Sequence, residues 1–312
     1  MEESSTMKER INGGILSRKT KKKISGQLSN ITREEAIQSF RKLKTVRCKK
    51  QKPMSKIGND FVDFFTYQER LNTIGNKGID FFDFYENRSL YRKQKYIQSM
   101  LDFYRRERGL TEKDPRVWKY IFNMYFGAIN IFKPLNAIEI YCRYKPTSIL
   151  DFTMGWGGRM IASVALGIPK YTGIDLNQNL KEPYRKMVKT LKDAGEMENI
   201  KVDLRFQDAT KIDYSKIDYD MVFTSPPYYN IELYRGTEQQ TKEEWNQRFY
   251  IPVFTETMRY LKPGGYYCLN IPESVYKDVC VPLFGKYWRR IGLRKSERVD
   301  SPYKEYIYVW RK

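Results

Sequence analysis

Two stretches of this chain carry residue types whose spacing could do chemistry. The first is Met221-Val-Phe-Thr-Ser-Pro-Pro-Tyr228, an apolar strand pattern that runs into two prolines and an aromatic ring. Proline has no N–H and fixes φ, so the strand must stop and become a stiff polar turn over Ser225, Pro226, Pro227 and Tyr228. A turn at the carboxyl end of a strand stands where open α/β sheets bind ligands. The second stretch is Asp151-Phe-Thr-Met-Gly-Trp-Gly-Gly-Arg159. Gly155 and Gly157 allow a tight turn with no side chain in the way of a ligand, and the start of a helix offers free N–H groups. Position 160 is methionine where a dinucleotide loop wants a third small residue, and no Gly-Lys-Ser/Thr is present, so neither the dinucleotide fingerprint nor a P-loop is met. Asp175, 24 residues after Asp151, ends the next strand pattern and suits ribose hydroxyls. Asp208 ends the third, within reach of an adenine amino group. Three carboxylates on successive strand ends describe an adenosine-type site.

The elements that must position these residues follow from the alternation beyond Thr147. Strand patterns cover 148–152, 171–176, 201–206, 219–224 and 265–271, and helix patterns 157–166, 178–194 and 243–261. This alternation predicts a mostly parallel sheet with helices on both faces. A last helix over 275–286 and a closing antiparallel pair, 294–299 with 305–310, complete it. The reading gives three segments: a basic, flexible amino-terminal segment (1–56), a helical accessory domain (57–130) and an α/β domain (131–312). Within the first, Thr32-Arg-Glu-Glu35 predicts a capping box opening one short helix. In the second, rings such as Tyr96, Phe103 and Tyr104 alternate with Arg105, Arg106 and Arg108. Such rings serve a small helical core or stack on unpaired bases.

Composition narrows the function classes. The chain has 57 Lys and Arg against 37 Asp and Glu, a net +20, and residues 1–56 alone hold 16 basic against five acidic residues. A balance this basic points to a polyanionic partner, nucleic acid first. The chain contains no histidine, which excludes Ser-His and Cys-His catalysis and histidine metal sites, and no metal is expected. Cys48, Cys142, Cys268 and Cys280 are far apart, so neither zinc spacing nor a disulfide framework is expected, in keeping with a reducing compartment. Without a long apolar run or an apolar stretch near the amino terminus, the expectation is a soluble intracellular protein.

Taken together, Asp-x-x-x-Gly-x-Gly, an acidic second strand and Thr-Ser-Pro-Pro-Tyr resemble the S-adenosylmethionine-dependent amino-methyltransferases that modify adenine N6 or cytosine N4 in DNA. The resemblance covers roughly residues 130–312 and implies the Rossmann-like methyltransferase fold, a seven-stranded sheet with a carboxyl-terminal antiparallel hairpin. It implies S-adenosylmethionine as cofactor, with Asp151, Phe152, Thr153, Gly155, Trp156 and Gly157 around its methionine part, Asp175 at the ribose and Asp208 at the adenine. Phe132-Lys133-Pro134 is similar to the segment that closes over the cofactor. Ser225, Pro226, Pro227 and Tyr228 become the catalytic turn, holding the amino group of an extruded base while Tyr228 stacks on its ring.

Two departures bear on the substrate. Serine stands at 225 where the family often has Asp or Asn, which leans towards cytosine N4. No large insertion follows either motif, so recognition falls to residues 1–130 or to the loop from Tyr229 to Gly236. An RNA base and a catalytically silent nucleic-acid-binding subunit are the alternative readings.

Overall fold

The computed structural model describes residues 16–46, 48, 55–75, 77–229, 232–233, 240–293 and 305–312. The chain divides into two compact units, one of residues 1–30, 67–130 and 231–238, the other of 31–66, 131–230 and 239–312. These units cut the chain differently from the three consecutive segments read from the sequence.

The larger unit is built on a seven-stranded sheet. Its strands are β1 (Ser148–Asp151), β2 (Lys170–Asp175), β3 (Lys201–Phe206), β4 (Met221–Thr224), β5 (Tyr266–Ile271), β6 (Arg289–Gly292) and β7 (Tyr306–Arg311). Their order is 3-2-1-4-5-7-6, parallel except for β7, which runs antiparallel to both β5 and β6. This is the Rossmann-like methyltransferase fold with its closing hairpin. The short runs Ile149-Leu150 and Val222-Phe223 are wholly buried, as strands covered on both faces must be. Leu150, Val222, Tyr267 and Tyr308 join Tyr250 and Phe254 in the core of this unit. The chain builds outwards from β1 to β3, then returns to place β4 on the other side of β1. The β1/β4 junction is therefore the switch point at which such sheets bind ligands.

The hairpin departs from expectation in its first strand, which is Arg289–Gly292; residues 294–299 lie outside the described residues. The expected helix over 243–261 also divides, with a wider π turn over Asn246–Tyr250 between Lys242–Trp245 and Ile251–Arg259. Pro252, which cannot donate to an intrahelical bond, stands just after that turn.

The amino-terminal segment holds two helices, where the sequence predicts one in a flexible tail. Helix Arg33–Val46 opens with the expected capping box: the Glu35 amide donates to Thr32 Oγ1 (3.2 Å) and the Thr32 amide to Glu35 Oε2 (2.8 Å). Its buried Phe40 meets Phe61, ring centroids 5.5 Å apart, within the larger unit. Helix Arg18–Leu28 belongs to the smaller unit, where Ile24 packs with Phe81, Phe82, Phe84 and Trp118. Its lysine run gives little apolar periodicity, yet Lys21 is buried, donating to Asn72 Oδ1 (2.8 Å) with its ammonium over the Phe82 ring.

Cys48 and Cys142 form a disulfide across 94 residues, which corrects the expectation that the widely spaced cysteines build no disulfide framework. No short-range spacing signals it; the partners meet because the chain after helix Arg33–Val46 reaches helix Pro134–Tyr144. Cys268 and Cys280 are free and buried. No described helix is long and apolar enough to cross a membrane.

Candidate active site

The loop after β1 is shaped by its glycines and by the groups that hold them. Gly155 and Gly157 have φ of 58° and 99°, the left-handed region that glycine enters without penalty. Tyr184 donates its hydroxyl to the carbonyls of Met154 (3.1 Å) and Gly155 (3.0 Å), and the Gly155 amide donates to Asp175 Oδ2 (2.8 Å). A further glycine, not singled out from the sequence, is required at 158. A Cβ there would lie 2.0 Å from the Phe132 carbonyl oxygen. Phe132-Lys133-Pro134 thus closes directly onto the start of helix Gly158–Ala165 by backbone contact, while the Arg159 guanidinium covers the Phe132 ring (5.2 Å).

Asp151 proves to be a buried hub. It is fully buried and takes Arg159 Nε on Oδ2 (2.7 Å), Arg159 Nη2 on Oδ1 (3.1 Å), the Tyr171 hydroxyl on Oδ2 (2.6 Å) and the Thr224 hydroxyl on Oδ1 (2.8 Å). Four donors fill the acceptor positions of one carboxylate. Its side chain is thereby committed to groups within the chain, at the root of the loop expected around the methionine part of the cofactor. The Phe152 ring is likewise taken up within the protein, fully buried in the core 5.9 Å from Phe254. Trp156 is buried, and Thr153 is half-buried, donating to Thr224 Oγ1 (2.5 Å) because the Thr224 proton is committed to Asp151. The first loop is thereby bonded to the last residue of β4, one position before Ser225.

Asp175 is half-buried at the end of β2. Burial pushes its carboxyl up to about 6, against the pull of the Asn177 and Gly155 amides. Asp208 caps the turn Ala209–Lys211, with both Thr210 N (2.9 Å) and Thr210 Oγ1 (2.8 Å) on Oδ1.

At the end of β4, Ser225 and Tyr228 share one acceptor. Ser225 Oγ donates to Asn270 Oδ1 (3.1 Å) and so does the Tyr228 hydroxyl (2.8 Å). Asn270, buried on neighbouring β5, is held by its amide donating to the Tyr306 carbonyl (3.0 Å), which turns Oδ1 towards the hydroxyls. Tyr250 anchors the other side, its hydroxyl donating to the Pro227 carbonyl and accepting from the Tyr229 amide (3.3 Å). Tyr229 has a φ of 54°, an uncommon conformation for a ring-bearing residue that these contacts hold in place. Pro226 is buried and Pro227 half-buried. Asn270, Tyr250 and Gly158 carry no motif signal, since each acts through a partner distant in sequence. Of the recognition loop 229–236, Tyr229 and Glu232–Leu233 are described; the rest lies outside the described residues.

No protein-family profile and no curated protein matches the chain. Partial similarity is found to solved structures. TrmN from Thermus thermophilus is 13% identical over 64% of this chain and 67% of its own, with a TM-score of 0.42. An rRNA methylase from Streptococcus thermophilus is 13% identical over 53% and 86%, with a TM-score of 0.36. SMU.776 complexed with SAH is 16% identical over 60% and 52%, with a TM-score of 0.40.

Proposed function

We propose that this protein transfers a methyl group from S-adenosylmethionine to an exocyclic amino group, cytosine N4 or adenine N6, of a base extruded from DNA. The observation that carries the reading is the Ser225–Asn270 bond beside the glycine loop. Because Ser225 gives its proton to Asn270, the lone pairs of Oγ remain to accept from an incoming amino group.

The residues fit an adenosine-bearing cofactor. Gly155 and Gly157 open the loop, Asp175 offers a partly exposed carboxylate for ribose hydroxyls, and Asp208 leaves Oδ2 for an adenine amino group. Thr153 and the backbone of the loop face the methionine part, with Trp156, Phe132, Lys133 and Pro134 around them. When bound, the cofactor supplies an electrophilic sulfonium methyl.

The chain's own task is to make a poor nucleophile reactive. The lone pair of an exocyclic amine is delocalised into the ring. Ser225 Oγ and the Pro226 carbonyl accept its two hydrogens, localise the pair and stabilise the positive charge that develops on nitrogen. Pro226 and Pro227 keep those acceptors from drifting, and Tyr228, its hydroxyl tied to Asn270, offers its ring to the extruded base. The Thr224–Asp151 and Thr224–Thr153 bonds fix the distance between this turn and the cofactor loop. Incubation with methyl-labelled S-adenosylmethionine and either duplex DNA or folded RNA tests the reading. Label in DNA supports it, label in RNA alone moves the substrate class, and label in neither overturns the enzymatic reading.

A further inference from the structure

We propose that the seam between helices Lys95–Arg108 and Pro115–Tyr125 binds an unpaired stretch of DNA strand, stacking bases on its exposed rings. The inference rests on the reading above only in taking DNA as the partner. Two ring pairs mark the seam: Tyr104 stacked on Tyr120, centroids 5.3 Å apart and 24° between planes, and Tyr96 against Tyr125 at 4.7 Å. The pairing order makes the helices antiparallel. The two sites are eight residues apart along the first helix, about 12 Å of helix rise, so one strand lying on the seam meets both.

The rings are not simply core. Tyr96 is 40% exposed, Phe103 41% and Tyr120 43%, with Met124 at 58% one turn beyond Tyr120. Ile97, Leu101, Val117, Trp118, Ile121 and Phe122 of the same helices close the core of this unit, and Tyr104 and Tyr125 rest half-buried on it, each carrying a more exposed ring, Tyr120 and Tyr96, on its outer side. An exposed row of rings costs solubility and finds a use when flat partners cover it.

The charge around the rings selects the partner. Helix Lys95–Arg108 carries Lys95, Arg105, Arg106 and Arg108 against Asp102 and Glu107. Arg105 is engaged by Asp102, whereas Arg106 and Arg108 are exposed and have no ion-pair partner among the described residues. Arg108 acts electrostatically on the Tyr104 hydroxyl, and Arg116, engaged by Asp114 (2.5 Å), feels the Tyr120 hydroxyl, so cations stand beside the stacked pair. Rings with the Arg108 guanidinium beside them and Arg106 on the same helix, neither in an ion pair among the described residues, match a strand whose bases are free to stack and whose phosphates need neutralising. A base-paired duplex hides its ring faces and an apolar protein surface would leave the arginines uncompensated.

Fluorescence anisotropy of the full chain with labelled oligothymidylate, the matching duplex and oligouridylate decides the matter. Tyr104→Ala with Tyr120→Ala is expected to weaken oligothymidylate binding roughly 10- to 100-fold, while the Phe substitutions, which keep the rings and test for misfolding, retain it. Arg106→Gln with Arg108→Gln lowers the slope of log affinity against log salt by about 1.4. The proposal falls if the alanine variant binds as well as the parent, or if duplex or oligouridylate is preferred. Ring-dependent strand binding by a protein that methylates nothing would sink the enzymatic reading and leave the seam standing. Methyl transfer that requires Ser225, with strand binding indifferent to the rings, would do the reverse.

Discussion

Asn270 Oδ1 lies 2.8 Å from the Tyr228 hydroxyl and 3.1 Å from Ser225 Oγ, so one buried amide on β5 orients two side chains of the turn that ends β4. Asn270→Ala removes this acceptor and frees both. We expect kcat to fall about 100-fold, the scale of a small misplacement of reacting groups. Cofactor affinity, measured by calorimetry with S-adenosylhomocysteine, should stay within a factor of two or so, since Asn270 is not among the cofactor-loop contacts. An unchanged kcat would show that the turn is positioned without it.

The Asp151–Arg159 pair is fully buried and ties the glycine loop to Tyr171 and Thr224. Removing one partner strands the other charge, so Asp151→Asn and Arg159→Met should each destabilise the protein by roughly 3–5 kcal/mol. The double variant should lose less than the sum, because the two changes delete one shared interaction. Urea unfolding of the three variants measures this, and strict additivity would deny the coupling.

Asp175 makes a pH prediction that the composition sharpens. Its carboxyl is raised by burial from an ordinary 3.8 to about 6. A raised carboxyl pKa means that the folded state holds the proton more tightly than the unfolded one. This contribution favours folding at low pH and is lost as pH rises from about 4 through about 6. Binding runs in the opposite sense: the ionised carboxylate is the better acceptor for ribose hydroxyls, so cofactor affinity should rise through pH 6 and level off above it. With no histidine in the chain to titrate there, Asp175→Asn should flatten the profile. A step that survives the substitution would assign it to another group.

The Cys48–Cys142 disulfide closes a long loop whose two ends lie in the larger unit. The chain-entropy account gives a contribution on the order of 4 kcal/mol for a loop of this length. Cys142→Ser, or thiol reduction of the parent, should therefore lower the denaturation midpoint, and reduction should leave the Cys142→Ser variant unmoved. Equal midpoints for oxidised and reduced parent would remove the disulfide from the account.

How much of this was legible in the sequence depended on how local the cause is. The Thr32–Glu35 capping box reads directly because both partners lie within one turn. The order of strands follows from apolar runs broken by glycine and proline, and those runs place Asp175 and Ser225 at strand ends. Asp151 was legible as a strand end, but its bonding partners were not. Its motif neighbours say nothing of Tyr171, 20 residues on, or Thr224, 73 on, whose hydroxyls consume it. Asn270 was illegible because a lone asparagine within a strand gains meaning only from the strand beside it. Helix Arg18–Leu28 was missed because a buried lysine, satisfied by Asn72, counts as solvent-facing in any apolar pattern.

The central claim is that the Ser225 turn aims an exocyclic amino group at the cofactor's methyl. Its most direct test is nucleoside mass spectrometry of DNA treated with S-adenosylmethionine and either the parent protein or Ser225→Ala, at matched cofactor occupancy. The account predicts N4-methylcytosine or N6-methyladenine from the parent and a rate at least about 100-fold lower from the variant. Methylation at a ring carbon, or an amino-methylated product formed equally fast by Ser225→Ala, would contradict it.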